Sequence, residues 1–178
     1  MKNDYEIRGE VTVIYLKRKD GTTLETAINT SDLERVKEVD TNWLACLDKG
    51  TNAFYCCGRI KVGNKWKTVA LHRLILDFPL EKVADHINHN TLDNRKDNLR
   101  AITKGENAQN RKGANKDSKT GISGVVEREN GKFRAFVYIG GRQLNLGTYK
   151  TLERAGAVAA KARAKYKPFS KEAKEMSL

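Results

Sequence analysis

Asp85 and His86 stand side by side in the middle of the chain, with Asn98 and Asn107 following, and together these residue types could cut a phosphodiester. Hydrolysis needs a base that deprotonates the attacking water and a hard divalent cation that stabilises charge on the phosphate and on the leaving 3′ oxygen. The imidazole of His86 suits the first task, because its ordinary pKa of about 6.5 leaves it largely neutral at cellular pH. A carboxylate and an amide oxygen, Asp85 and Asn107, suit the second, since Mg2+ prefers oxygen ligands. On their own the four residues fit equally well a solvent-facing Asp-His pair beside an Asn-rich loop.

The surrounding segments must place these side chains. Lys82 to Ile87 reads as a strand, on which Asp85 and His86 would point to opposite faces, so a bend or bulge is needed for both to reach one phosphate. Asn88 to Asn98 is crowded with Asn and Asp, whose side chains bond nearby backbone and favour a compact loop; Asn98, Asp93, Asn94, Arg95 and Thr103 are expected to be structural there. Leu99 to Ile102 is a returning strand. Thr103 and Glu106 then form a capping box, which predicts a helix from Lys104 to Arg111. Asn107 lies in its first turn, and a hairpin packed on that helix would bring it opposite Asp85.

Upstream, Val11 to Leu16 and Thr22 to Ile28 flank the turn dipeptide Asp20-Gly21. Ser31 is placed to cap a short helix through Val39. Phe54 to Val62 and Lys65 to Leu71 form a second hairpin around Gly63-Asn64, with Trp66 and Val69 as packing residues. Apolar residues at 71, 74 and 75 predict a short helix ended by Pro79. Downstream, residues 112–120 are polar and aperiodic, a linker. Strands are expected at Gly124 to Arg128, Phe133 to Ile139 and Gln143 to Leu146, followed by a helix from Leu152 to Tyr166 capped by Thr151, with Leu152, Ala155, Ala159, Ala162 and Tyr166 on one face.

Composition narrows the partners. The 178 residues carry 34 Lys plus Arg against 22 Asp plus Glu, a net charge of +12. Residues 1–80 hold 13 basic and 11 acidic side chains, residues 81–110 five of each, and residues 111–178 16 against six. The basic last third points to nucleic acid through phosphate neutralisation, ahead of an anionic membrane. No apolar run approaches the roughly 20 residues that span a bilayer, and the amino terminus lacks a signal-peptide core, so a soluble cytoplasmic protein without membrane association is expected. Cys46, Cys56 and Cys57 match neither zinc spacing nor a disulfide framework, and are expected as buried or half-buried thiols.

Taken together, Leu71-His72-Arg73-Leu74, Asp85-His86-Ile87-Asn88, Leu92-Asp93-Asn94-Arg95, Asn98-Leu99-Arg100 and Glu106-Asn107-Ala108-Gln109-Asn110 resemble the HNH homing endonucleases of phages and introns, which have a ββα-metal fold. The resemblance implies His86 as general base, Asp85 and Asn107 as ligands of one Mg2+ or Mn2+, and Asn98 as the residue that braces the loop and orients the base. Many members carry His where this chain has Asn107, and a similar subset uses Asn. No structural zinc is expected, since flanking Cys pairs are missing. His89, in the loop, and His72, a packing or hydrogen-bonding residue of the preceding helix, are expected outside the ligand set.

A second resemblance covers residues 121–166. Ser123-Gly124-Val125-Val126, Gly131 to Val137, Leu146-Gly147-Thr148-Tyr149 and the Ala-rich helix look like an AP2/ERF DNA-binding domain, which implies a three-stranded sheet, backed by a helix, that reads the major groove of double-stranded DNA. Alternation along the middle strand buries Phe133, Ala135 and Val137 and turns Arg134, Phe136 and Tyr138 outward. Arg128, Gln143 and Asn145 could share that outer face, while Lys132 and Arg142, near turns, would grip phosphate. Ser123, Val126 and Asn130 stand where plant relatives use Arg or Trp, so the plant target does not transfer.

The expectation is an α+β protein of five parts: a β-rich scaffold segment (1–70), a ββα-metal nuclease module (71–111), a linker (112–120), an AP2-like domain (121–168) and a polar tail (169–178). Its function would be metal-dependent DNA cleavage of homing type, nicking as a monomer at a site chosen by the AP2-like domain. The rivals are a DNA-binding regulator with a degenerate HNH module, and an RNA-binding protein.

Overall fold

The computed structural model describes residues 1–77, 81–111 and 113–175. It is a mixed α+β architecture of small sheets and short helices, divided into two compact units, Met1–Thr103 and Lys104–Leu178. Pro79, the expected helix stop, lies outside the described residues.

The first unit holds three small antiparallel sheets. Strands β1 (Tyr5–Arg8), β2 (Val11–Lys17) and β3 (Thr23–Asn29) form one, with the turn at Asp20-Gly21 where expected. A 3-10 turn, Thr30–Asp32, and helix α1 (Leu33–Glu38) follow. Ser31 is not the cap: it sits inside the 3-10 turn, and α1 begins after Asp32 without a side-chain capping bond. The second sheet is β4 (Leu44–Asp48), β5 (Ala53–Val62) and β6 (Lys65–Ala70), in that order. Helix α2 (Leu71–Leu76) leads to the two-stranded sheet of β7 (Val83–His86) and β8 (Leu99–Ile102).

One apolar core joins these pieces. Ile14, Leu16, Ile28, Val36, Trp43, Leu71, Ile75 and Leu99 are buried in a single cluster drawn from all three sheets and both helices. Trp43 is fully buried, and truncating such a residue to Ala typically costs about 3–5 kcal/mol. Val69 packs against this cluster, but Trp66 does not. It is 60% exposed, because β4 pairs only with Ala53–Cys57 and leaves the far half of the β5–β6 hairpin without a third strand. Of the cysteines, Cys56 is buried and Cys57 half-buried, whereas Cys46 is exposed on β4. Burial pushes the Cys57 thiol up to about 12.

The second unit begins with one helical turn, α3 (Lys104–Asn107), which tightens into a 3-10 turn at Ala108–Asn110 instead of running as an α-helix to Arg111. Strands β9 (Val125–Glu127), β10 (Phe133–Ile139) and β11 (Arg142–Tyr149) form an antiparallel sheet with β10 central. Helix α4 (Leu152–Tyr166) is capped by Thr151, whose hydroxyl accepts from the Arg154 amide at 3.3 Å. Its small residues allow the close approach: Ala155 and Ala159 are fully buried against Val125 and Ala135. Gly124 is obligatory at the sheet edge, since its φ is +78° and a Cβ there would lie 2.5 Å from the Phe136 carbonyl oxygen. The tail includes a short helix, α5 (Lys171–Glu175), docked through Arg163, whose guanidinium donates to Glu172 at 2.6 and 2.8 Å and to the Ser123 carbonyl.

Candidate active site

The loop between β7 and β8 is built from its own Asn and Asp side chains. Asn98 accepts from the Asn88 amide at 2.9 Å and donates to the Asp93 carbonyl at 2.8 Å and the Asn90 carbonyl at 3.4 Å. Asn88 and Asn90 accept from amides two residues on, at 2.8 and 3.2 Å. Arg95 makes a bidentate pair with Asp93 at 2.7 and 2.8 Å, and that guanidinium holds the Asp93 carboxyl below its ordinary range. The Asn bonds satisfy backbone groups that the twelve residues between β7 and β8 do not satisfy with strand pairing, and the Arg95–Asp93 pair fixes the loop's side chains.

The amino-terminal sheet anchors this loop from outside. Ala27 of β3 donates to Leu92 at 2.9 Å and accepts from the Asn94 amide at 2.8 Å, which extends β3 with a parallel bridge. Thr91 donates to the Phe54 carbonyl at 2.6 Å. Residues 1–70 therefore support the loop directly, a role that composition alone left open.

His86 ends β7 and is buried, only 6% exposed. Its Nε2 lies 3.2 Å from Asn94 Oδ1. The hydrogen-bond chain beyond fixes the proton. The Leu92 carbonyl can only accept, so the Thr26 hydroxyl donates to it at 2.8 Å and must accept the Asn94 amide at 2.8 Å. Asn94 then presents its oxygen to His86, so Nε2 carries the hydrogen and the neutral ring has its lone pair on Nδ1. Burial lowers the His86 pKa, opposed by the Asn94 bond and by the charges of Asp85 and Asp93.

Two further rings flank His86. The His72 centroid is 5.4 Å away and Tyr55 6.0 Å, both edge-on, and His72 and Tyr55 are 5.9 Å apart. His72 Nδ1 is buried without a hydrogen-bond partner, and burial together with His86 brings the His72 pKa down to about 4. His72 was expected as a packing or hydrogen-bonding residue; its place beside His86 was not visible, because it arises from the packing of α2 against the end of β7.

Asp85 is buried and faces Arg100 across the β7–β8 ladder, with Arg100 Nη2 and Nε at 2.6 and 2.8 Å from Asp85 Oδ2. The ladder runs in register from Val83 to His86, so the bulge expected between Asp85 and His86 is not there. Carboxylate oxygens suit a hard cation, and Asp85 offers that chemistry, but Arg100 already engages one oxygen, so a cation must share or displace it. Among the described residues, no group of three or more His, Cys, Asp or Glu is arranged to hold a metal.

Asp85, His86 and Asn98 thus belong to the first unit, while Asn107 ends α3 in the second. Asn98 braces the loop as expected from its position, but its side chain touches loop backbone rather than His86. Asn94 makes the direct contact. Thr26 and Tyr55 complete the surroundings, and nothing local in the sequence marks them.

In the second unit, register places Arg134, Phe136 and Tyr138 of β10 opposite Thr148, Asn145 and Gln143 of β11 on one face. Gln143 donates to the Tyr138 hydroxyl at 3.1 Å, and the Arg134 guanidinium lies 5.7 Å from the Phe136 ring centre. Arg128 and Lys132 bracket the turn at Asn130-Gly131, where the Arg128 amide donates to the Lys132 carbonyl at 2.8 Å. Arg142 pairs with Ile139 at the other end of the sheet.

Residues 69–109 match the family model of the HNH endonucleases, less than a quarter of the chain and the segment that carries Asp85, His86, Asn98 and Asn107. No curated protein and no solved structure matches the chain. No helix among the described residues is long and apolar enough to cross a membrane.

Proposed function

We propose that the protein is a metal-dependent DNA endonuclease of homing type, in which residues 71–111 form a ββα-metal module and residues 121–168 an AP2-like DNA-binding domain. The observation that carries this reading is the buried His86, a neutral ring with Nε2–H tied to Asn94 and its lone pair therefore on Nδ1, under the charges of Asp85 and Asp93. His86 takes the proton of the attacking water at Nδ1. The imidazolium so formed is stabilised by the charges of Asp85 and Asp93 and by the Asn94 oxygen. Asn94, locked by Thr26, keeps the ring from turning.

Asp85 and Asn107 would hold one Mg2+ or Mn2+, which when bound would polarise the phosphate and favour departure of the 3′ oxygen. Arg100 holds the Asp85 carboxylate oriented in the meantime. Target choice belongs to the outer face of the carboxy-terminal sheet: Arg128, Arg134, Gln143 and Asn145 have the donors and acceptors for base edges, Phe136 and Tyr138 line the same face, and Lys132 and Arg142 grip phosphate near its turns.

One chain carries one such site, so a monomer nicks. Supercoiled plasmid bearing the target region should pass to open circle in Mg2+ or Mn2+ and not in chelator. Linear product formed as fast as open circle would remove the nicking claim. Tight DNA binding without any product in either metal would favour the regulator with a degenerate module, for which Asn107 in place of His is the specific observation.

A further inference from the structure

We propose that the projecting half of the β5–β6 hairpin, residues 58–69, is a second DNA-contacting element, an arm that enters a groove of the duplex. The inference takes its ligand from the endonuclease reading, but it stands on different residues. The near-neutral charge of the first 80 residues conceals a polarised distribution: residues 1–52 carry eight basic and ten acidic side chains, and residues 53–70 carry four basic and none acidic. All four cations, Arg59, Lys61, Lys65 and Lys67, fall on the part of the hairpin that β4 does not cover.

Register distributes them over both faces. Arg59 pairs with Thr68 and Lys61 with Trp66 on one face, while Lys67 pairs with Ile60 and Lys65 with Val62 on the other. The four cations are exposed, and among the described residues none forms an ion pair, in contrast to Lys17, Lys37, Arg95 and Lys96, each within 3 Å of a carboxylate. The arm is thus an unneutralised cationic ribbon. Trp66, at its tip, is 60% exposed with the Arg59 guanidinium 5.6 Å from its ring centre.

Two strands about 4.8 Å apart make a ribbon slim enough for the major groove, roughly 12 Å wide, which admits either a helix or a two-stranded β-ribbon. Charge on both faces suits an object with phosphates on each side of it, and is redundant on a sheet lying flat against a planar partner. Lysines on an exposed edge also discourage pairing with a second copy of the chain. That protection alone does not require an apolar indole at the tip, held ready to lie along sugar or base edges.

The test is binding of a mixed-sequence DNA duplex by the full chain in chelator, so that no cleavage is involved. Trp43 is fully buried and Trp66 exposed, so acrylamide quenching reports on Trp66. Bound duplex should protect Trp66 from acrylamide several-fold. Substituting Lys61, Lys65 and Lys67 together by Ala should reduce the slope of log affinity against log salt by about 2.7, the value for three lost phosphate contacts, while Lys2, Lys17 and Lys37 substituted together should leave it within one unit. Circular dichroism and the buried Trp43 signal establish that the variants are folded.

Unchanged quenching of Trp66 in the complex, or an unchanged salt slope in the triple variant, would overturn the arm whatever the protein cleaves. Protection by an RNA duplex or anionic vesicles but not by DNA would overturn it as a DNA arm. Loss of metal-dependent product with the arm's signals intact would instead count against the nuclease reading alone.

Discussion

Replacing His72 with Phe should change how the stability of the first unit depends on pH. The ring packs edge-on against His86 and Tyr55, so Phe keeps the apolar contacts while removing a group that resists protonation. Its pKa of about 4 in the folded protein, against about 6.5 in the unfolded chain, means that the unfolded state binds the proton first. Stability is therefore unaffected by His72 above about pH 6.5, falls as the pH drops below it, and levels off below about 4. At pH 5 the loss is about 2 kcal/mol relative to pH 7. Arg73 and His86 are the charged and titratable groups that act on His72, and both remain in the variant. Urea unfolding at pH 7 and pH 5, followed by the first unit's signal, should show the wild type losing about 2 kcal/mol more than His72→Phe. Equal losses in the two proteins would refute the burial of an unprotonated ring at this position.

Other perturbations address neighbouring claims. Asn94→Ala removes the link between Thr26 and His86 and should destabilise the first unit by roughly 1–3 kcal/mol, the cost of stranding buried polar groups, with cleavage reduced and DNA affinity retained in a gel-shift assay. Arg100→Ala leaves the buried Asp85 carboxylate without its guanidinium and should cost roughly 3 kcal/mol in metal-free buffer. If Asp85 is a ligand, added Mg2+ or Mn2+ should restore more thermal stability to that variant than to the wild type; equal shifts would remove Asp85 from the ligand set. Gly124→Ala forces a side chain into a left-handed conformation against the Phe136 carbonyl and should destabilise the second unit by more than about 1 kcal/mol, read as an earlier thermal transition of the β9–β11 sheet.

Legibility in the sequence followed the range of the physics involved. Hairpins set by Asp20-Gly21 and Gly63-Asn64, the short α2, and helix α4 from Leu152 to Tyr166 were all readable, because turn glycines and 3.6-residue periodicity are local. Strand β1 was not: Tyr5-Glu6-Ile7-Arg8 alternates apolar and polar residues, but the run is only four residues long and all four are exposed, so no buried face marks it. Trp66 was misassigned because aromatic residues in strands usually pack, and only the pairing of β4 reveals that this end of the hairpin has nothing to pack on. In the site, Asn98 was legible as a loop brace from its place in an Asn-rich segment. The contacts of His86 with Asn94, Tyr55 and His72, and the anchoring through Thr26, are products of tertiary packing between segments up to 68 residues apart, with no signature in local spacing. The Arg100 pair with Asp85 is intermediate: it follows from the hairpin register, which the loop length did not fix.

The most direct test of the account is purified His86→Ala assayed beside the wild type on target DNA with Mg2+ and with Mn2+. Because His86 is proposed to move a proton and not to grip DNA or metal, the account predicts wild-type duplex affinity with cleavage lowered by roughly two to four orders of magnitude, the usual worth of a general base. Cleavage at the wild-type rate by a folded, DNA-binding His86→Ala protein would contradict it.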